Sequence, residues 1–177
     1  MKPVPDSGEA CPRPEGASPV GSSSAAFLLA QVGAHAASRF AQRLAKLKLV
    51  PPHAGMLRIL NATPAMTQQA LANALKMVPS RLVALVDDLE SRGFIERRGN
   101  PDDRRRYALH LTQKGRSTLE AIGRIAREHQ QALLAALCEE EQRQLAHLLQ
   151  RIADEQGLTR GVHPGYARLG GTANEKQ

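Results

Sequence analysis

Apolar positions recur every three to four residues along most of this chain, and every second residue along one short stretch. From Ala25 to Lys48 the apolar side chains Leu29, Val32, Ala36, Phe40, Leu44 and Leu47 make one helical stripe. Pro51-Pro52 ends that helix and opens a shorter one, "HAGMLRILNA". Thr67 stands where an N-cap is wanted for "QQALANAL". Pro79 then occupies the first turn of another helix, where its missing N–H costs nothing. There Leu82, Leu85, Val86 and Leu89 follow the i, i+3, i+4, i+7 pattern, and Gly93 closes the helix.

After Gly93 the period changes. "FIERR" and "RYALHL" are short and flank "GNPDDR", a run of turn residues. The second segment alternates, with Tyr107, Leu109 and Leu111 on one face and Ala108 and His110 on the other. This spacing predicts a β-hairpin over 94–111. Thr112 then caps a long helix, about 113–136, with Leu119, Ile122, Ala126, Leu133 and Leu137 on its stripe. A last helix follows "CEEE", carrying Leu145, Leu148, Leu149 and Ile152. The fold class expected is mainly α with one small hairpin.

The two ends differ from this ordered part, 25–156. Residues 1–24 are rich in Pro, Gly, Ser and Ala, which predicts a disordered tail. Residues 157–177 are rich in glycine and predict a second flexible tail, in which Tyr166 and Leu169 could dock locally.

Two short helices joined by a tight turn, 67–92, make a helix-turn-helix. A hairpin with a basic tip after it makes a wing. The second helix is narrow enough to enter a major groove with its N-terminal residues at base edges. The tip "DDRRR" can reach a minor groove, where an arginine meets strong negative potential. The charge agrees: lysine plus arginine number 24 against 17 acidic residues, a formal +7, which favours an anionic partner.

Other classes are excluded. There is no Gly-rich phosphate loop, nucleophile elbow or metal-ligand spacing, so no enzyme and no cofactor is expected. The six histidines form no ligand pair. Cys11 and Cys138 are far apart and make no disulfide framework. With no apolar run long enough to span a bilayer and no signal peptide, the expected location is the cytoplasm.

The stretch "LANALKMVPSRLVALVDDLESRGFIERRGNPDDRRRYALHLTQKG" resembles the multiple antibiotic resistance regulator (MarR) family of bacterial transcription factors. Asp103, Arg105, Leu111 and Thr112 match the wing pattern D-x-R-x5-L-T. Leu85, Val86, Leu89, Glu90, Gly93, Ile95, Arg97 and Arg98 match the segment before it. The resemblance covers about 25–156. It implies a homodimer joined through the first, fifth and sixth helices, binding a pseudo-palindromic duplex operator. It also implies a repressor released by a small aromatic or phenolic effector, or by oxidation of a cysteine. A non-specific architectural DNA-binding protein is the alternative outside this scheme.

Residue by residue, the resemblance makes Arg105 the minor-groove contact and Asp103 a residue that fixes the wing. Arg98 and Arg104 become phosphate contacts. Ser80, Arg81 and Ala84 fall on the reading face, with Arg81 able to contact guanine through two hydrogen bonds. His35, Arg39, His53 and Met56 lie on the helices that line the family's effector pocket. Three positions depart from the pattern, and one of them, Ala84, stands where basic or hydroxyl side chains are common. Val78 cannot cap the reading helix, and Asp88 would repel phosphate unless it points away or pairs with an arginine.

Overall fold

The computed structural model describes residues 24–100 and 103–167, without the side chains of Asn100, residues 103–106 and Ala167. The elements are α1 (Ala25–Ala45), α2 (Pro51–Ala62), β1 (Met66–Thr67), α3 (Gln68–Ala74), α4 (Pro79–Ser91), β2 (Ile95–Asn100), β3 (Asp103–Leu111), α5 (Gln113–Leu133) and α6 (Glu139–Glu155). A 3-10 turn, Pro164–Ala167, follows. It is a winged helix-turn-helix, mostly helical with a small three-stranded sheet.

Capping sets most helix starts. Ser24 accepts from the Phe27 N–H at 3.2 Å, Thr67 from Ala70 at 3.2 Å and Thr112 from Gly115 at 3.0 Å. Glu141 accepts the Cys138 N–H at 2.9 Å at the start of α6. The segment read as a disordered N-terminal tail lies outside the described residues, apart from Ser24.

The sheet runs β1-β3-β2, all antiparallel. β1 is two residues long, pairing Met66 with Leu109 and Thr67 with Ala108. The hydrophobic period does not reveal it, because two residues carry no alternation. β2 pairs β3 from Ile95↔Leu111 outward, with an irregularity at Gly99/Asn100. Leu109 and Leu111 are buried as their alternation predicts, whereas Tyr107 on the same face lies beyond the core and is exposed.

One core fills the middle of the chain. Leu44 and Leu49, Met56, Leu57 and Leu60, Leu71 and Leu75, Leu82, Val86 and Leu89, and Ile95 and Leu109 are all at most 2% exposed. The start of α5 is pressed hard onto it. Thr112 Oγ1 donates to the Gly93 carbonyl at 2.7 Å, and a Cβ on Gly115 would lie 2.0 Å from the Phe94 carbonyl oxygen. Only glycine permits that approach.

The rest of the helical frame is not covered. α6 has no buried residue, and α1 has only Leu44. Phe27, Leu28, Leu29 and Val32 on α1, and Leu148, Leu149 and Ile152 on α6, are all exposed.

The segment read as a flexible C-terminal tail begins differently. Gly157 and Gly161 take positive φ, 64° and 70°, and spend their freedom on two turns. Residues 157–167 fold back on the core, and Tyr166 packs against it. Glycine content alone does not distinguish a turn from a flexible tail. Leu169 lies outside the described residues.

Candidate nucleic-acid interface

The helix-turn-helix is built by one left-handed residue and a proline. Lys76 has φ 53° and turns the chain after α3. Val78 follows as N-cap with no side-chain hydrogen bond, as its chemistry requires, and Pro79 opens α4. The inner face of α4 is Leu82, Val86 and Leu89, all fully buried. Its outer face presents Ser80, Val83, Ala84 and Asp87 to solvent, and Arg81 is half-buried beside them. Ser80, Arg81 and Ala84 therefore share the first turns of one exposed helix.

Asp88 does not face outward with them. Its carboxylate takes the Arg92 guanidinium at 3.0 Å and lies 3.6 Å from His53 Nε2. Arg92 also donates to the carbonyls of Lys48, at 2.8 Å, and Leu47, at 3.2 Å. The acidic group that would repel phosphate is thus paired with an arginine that ties α4 to the turn after α1.

A second brace joins α4 to the wing. The Arg97 N–H donates to Glu90 Oε1 at 3.1 Å, and its guanidinium binds the Glu90 carboxylate. The same guanidinium reaches Asp87 at 2.6 Å and Gln68 at 3.4 Å. The hydrogen bond to Asp87, foremost, raises the Arg97 pKa against a desolvation penalty. One arginine therefore ties β2 to both helices of the reading unit and sets the wing's angle. The sequence pattern contained Arg97 and Glu90 but gave neither this role. The signal was present: two acidic residues three apart on α4 are one helix turn from each other.

The wing side chains Asp103, Arg104 and Arg105 lie outside the described residues, although their backbone belongs to β3. Arg98 is described, and its exposed guanidinium pairs with Glu96 on the same strand at 2.5 and 3.0 Å. So exposed a pair is weak and leaves Arg98 able to turn to another anion. A cleft lined by Thr67, Gln68, Gln69, Asn73, Arg97, Tyr107 and Leu109 separates α3 from the wing.

The four residues assigned to an effector pocket do not come together. His35 and Arg39 are exposed on α1. Near them Phe40 meets His129 with ring centroids 5.5 Å apart, and Arg43 lies 3.9 Å from Glu128. Burial, foremost, lowers the His129 pKa, and Arg43, Arg39 and His35 add to the shift, so these four basic side chains gather on the α1–α5 face. His53 and Met56 sit elsewhere. Met56 is wholly buried in the core, and His53 is 5% exposed behind α4. In this conformation neither offers surface to a ligand. The cause is the helix period: α2 buries a broad face, and helix membership alone does not say which side a residue takes.

Among the described residues no group of His, Cys, Asp and Glu could hold a metal ion, and no helix is long and apolar enough to cross a membrane. Cys138 is disulfide-bonded, and the chain's other cysteine, Cys11, lies outside the described residues.

A MarR family model matches residues 49–107, from the start of α2 to the wing. A regulator from Clostridium symbiosum, "HTH-type transcriptional regulator BilQ", is 36% identical over 100 residues, covering 56% of this chain and 67% of that protein. The chain belongs to the MarR family. A "putative transcriptional regulatory protein for hcr operon" from Thauera aromatica is 38% identical over 98 residues, 55% of this chain, and the match spans only 59% of that relative's length. A solved structure of the transcriptional repressor CouR, bound to a 23-mer DNA duplex, is 30% identical with a TM-score of 0.65. It covers 73% of this chain and 92% of its own. As a member of this family the chain carries a DNA-binding winged helix fold.

Proposed function

We propose that this MarR-family chain is a cytoplasmic homodimeric repressor, reading a pseudo-palindromic operator and released by a small organic effector. One observation carries the reading: each acidic group of α4 is paired with an arginine of the chain. Asp88 is turned onto Arg92, and Asp87 and Glu90 onto Arg97. What remains at the tip of α4 is Ser80, Arg81 and Ala84, next to a wing whose sequence is "DDRRR". Ser80 and Arg81 then meet base edges, Arg105 enters the minor groove, and Arg98 and Arg104 bind phosphates. Asp103 holds the wing tip.

Dimerisation is supported by the apolar faces of α1 and α6, which carry seven exposed large side chains that nothing among the described residues covers. A second copy matches them by symmetry. The basic group of His35, Arg39, Arg43 and His129 lies on the same arm and supports an effector with an acidic aromatic or phenolic body.

The reading is tested by selecting duplexes from a random pool and titrating the winner against random competitor at fixed salt. A strong preference is expected, and Arg105→Ala should lower affinity by on the order of 1–3 kcal/mol. Equal affinity for both duplexes identifies an architectural DNA-binding protein instead.

A second reading, control by cysteine oxidation, is favoured by the disulfide at Cys138. A Cys138→Ser variant that binds the selected duplex but no longer releases it under peroxide supports this second reading. Unchanged release by a phenolic acid supports the first.

A further inference from the structure

We propose that residues 157–167 are a strap, pinned by Tyr166, that ties the end of α6 to the DNA-reading lobe and so fixes the distance between the two recognition helices. The inference rests on the homodimer reading above.

The path of the segment is built residue by residue. Gly157 ends α6 with its N–H on the Asp154 carbonyl at 3.0 Å, and Leu158 closes onto Ala153 at 2.9 Å. Arg160 reaches back to the Asp154 carboxylate at 2.7 and 3.2 Å, locking the reversal. At the second turn the Gly161 carbonyl accepts from Arg58 on α2, across 103 positions of sequence. His163 then takes the Gly165 N–H on Nδ1 at 2.9 Å, and Tyr166 N–H bonds the His163 carbonyl at 2.9 Å. The His163 and Tyr166 rings lie 5.7 Å apart.

The pin has a prepared seat. A Cβ on Gly55 would stand 2.8 Å from Tyr166 Cε2 and 3.2 Å from Cζ, with Leu75 Cδ2 at 3.4 Å. Glycine in the middle of α2 costs helix stability, roughly 1 kcal/mol relative to alanine, and this contact gives it a purpose. Burial of the ring raises the Tyr166 pKa. The strap is seated but not filled in: Leu75 and Lys76 face Leu158, Thr159, Val162, His163 and Pro164 across a cleft of about 310 Å³.

The consequence is mechanical. α6 buries no residue of its own against the rest of the chain. Without the strap its far end is joined to the lobe through nothing else the described contacts supply. With it, the arm that meets the partner and the lobe that carries α4 move as one body. The operator demands such rigidity, because half-sites lie about one helical turn apart.

The test places a nitroxide on Val83→Cys, exposed on α4, in a Cys11→Ser, Cys138→Ser background. Dipolar spectroscopy then reads the distance across the dimer. The parent should give one narrow distribution, and Tyr166→Phe should keep it. Tyr166→Ala and, independently, Gly55→Ala should each broaden it at least about twofold. Gly55→Ala favours the helix and so keeps the test open if Tyr166→Ala does not fold. A clear dipolar signal whose width is the same in the parent and the folded variants overturns the strap alone. No dipolar signal in the parent contradicts the homodimer, and the strap's role falls with it.

Discussion

Asp88 and Arg92, one turn apart on the recognition helix, hold each other at 3.0 Å on the side that faces the protein. Arg92 also closes the turn after α1 by bonding the carbonyls of Leu47 and Lys48. Its guanidinium therefore replaces hydrogen bonds that the chain itself cannot make at Leu47 and Lys48. Arg92→Ala should remove all three contacts. Charged hydrogen bonds contribute about 1.5–3 kcal/mol each when well buried, less here because the group is a quarter exposed. A loss of about 1–3 kcal/mol in urea unfolding is expected; no change would show that the carbonyls are equally well served by water.

His53 stands behind that pair with Nδ1 taking the Val50 N–H at 3.4 Å. Burial, foremost, lowers its pKa from 6.5; Asp88 opposes the shift and Arg92 adds to it. The folded state thus holds the neutral ring. Above pH 6.5 the residue has no effect on the pH dependence of stability. As pH falls through 6.5 the unfolded chain takes up a proton that the folded chain resists, and stability declines. Denaturant midpoints at pH 7.5 and 5.5 should fall further for the wild type than for His53→Gln. Parallel curves would contradict a neutral His53.

The helices, the hairpin and the reading helix were legible because each has a period and a punctuating residue. Leu82, Val86 and Leu89 announced the buried face of α4 and Pro79 its start, while Thr67 and Thr112 announced the starts of α3 and α5. Asp88 was legible as a misfit, since a carboxylate on a DNA face must find a partner. What was not legible depends on contacts between distant segments. Arg97 and Gly115 sat in quoted motifs, yet nothing local tells that one meets Asp87 and Glu90, or that the other meets the Phe94 carbonyl. That Met56 turns wholly into the core is hidden for the same reason.

Gly115→Ala tests that close approach. The new methyl would stand 2.0 Å from a backbone oxygen, which cannot rotate aside. The first turn of α5 must shift, at a cost on the order of 1–3 kcal/mol. A melting temperature equal to the wild type would show that the approach is looser than described.

Arg97→Met tests the brace between α4 and the wing. The side chain is engaged by Asp87 and Glu90, so its loss should act on DNA binding through wing placement. Affinity for the selected duplex should fall about tenfold, or roughly 1.4 kcal/mol. The salt slope should keep its value, because no phosphate contact is removed. A reduced slope would make Arg97 a phosphate ligand instead.

The central claim is that two copies of this chain place two α4 helices in successive major grooves. Hydroxyl-radical footprinting of the selected duplex, with the protein's sedimentation measured alongside, tests it most directly. The account predicts a dimer protecting two half-sites centred about 10–10.5 base pairs apart, with protection at the outer minor grooves lost in Arg105→Ala. A single protected half-site under a stable monomer, or uniform protection without a preferred site, would contradict it.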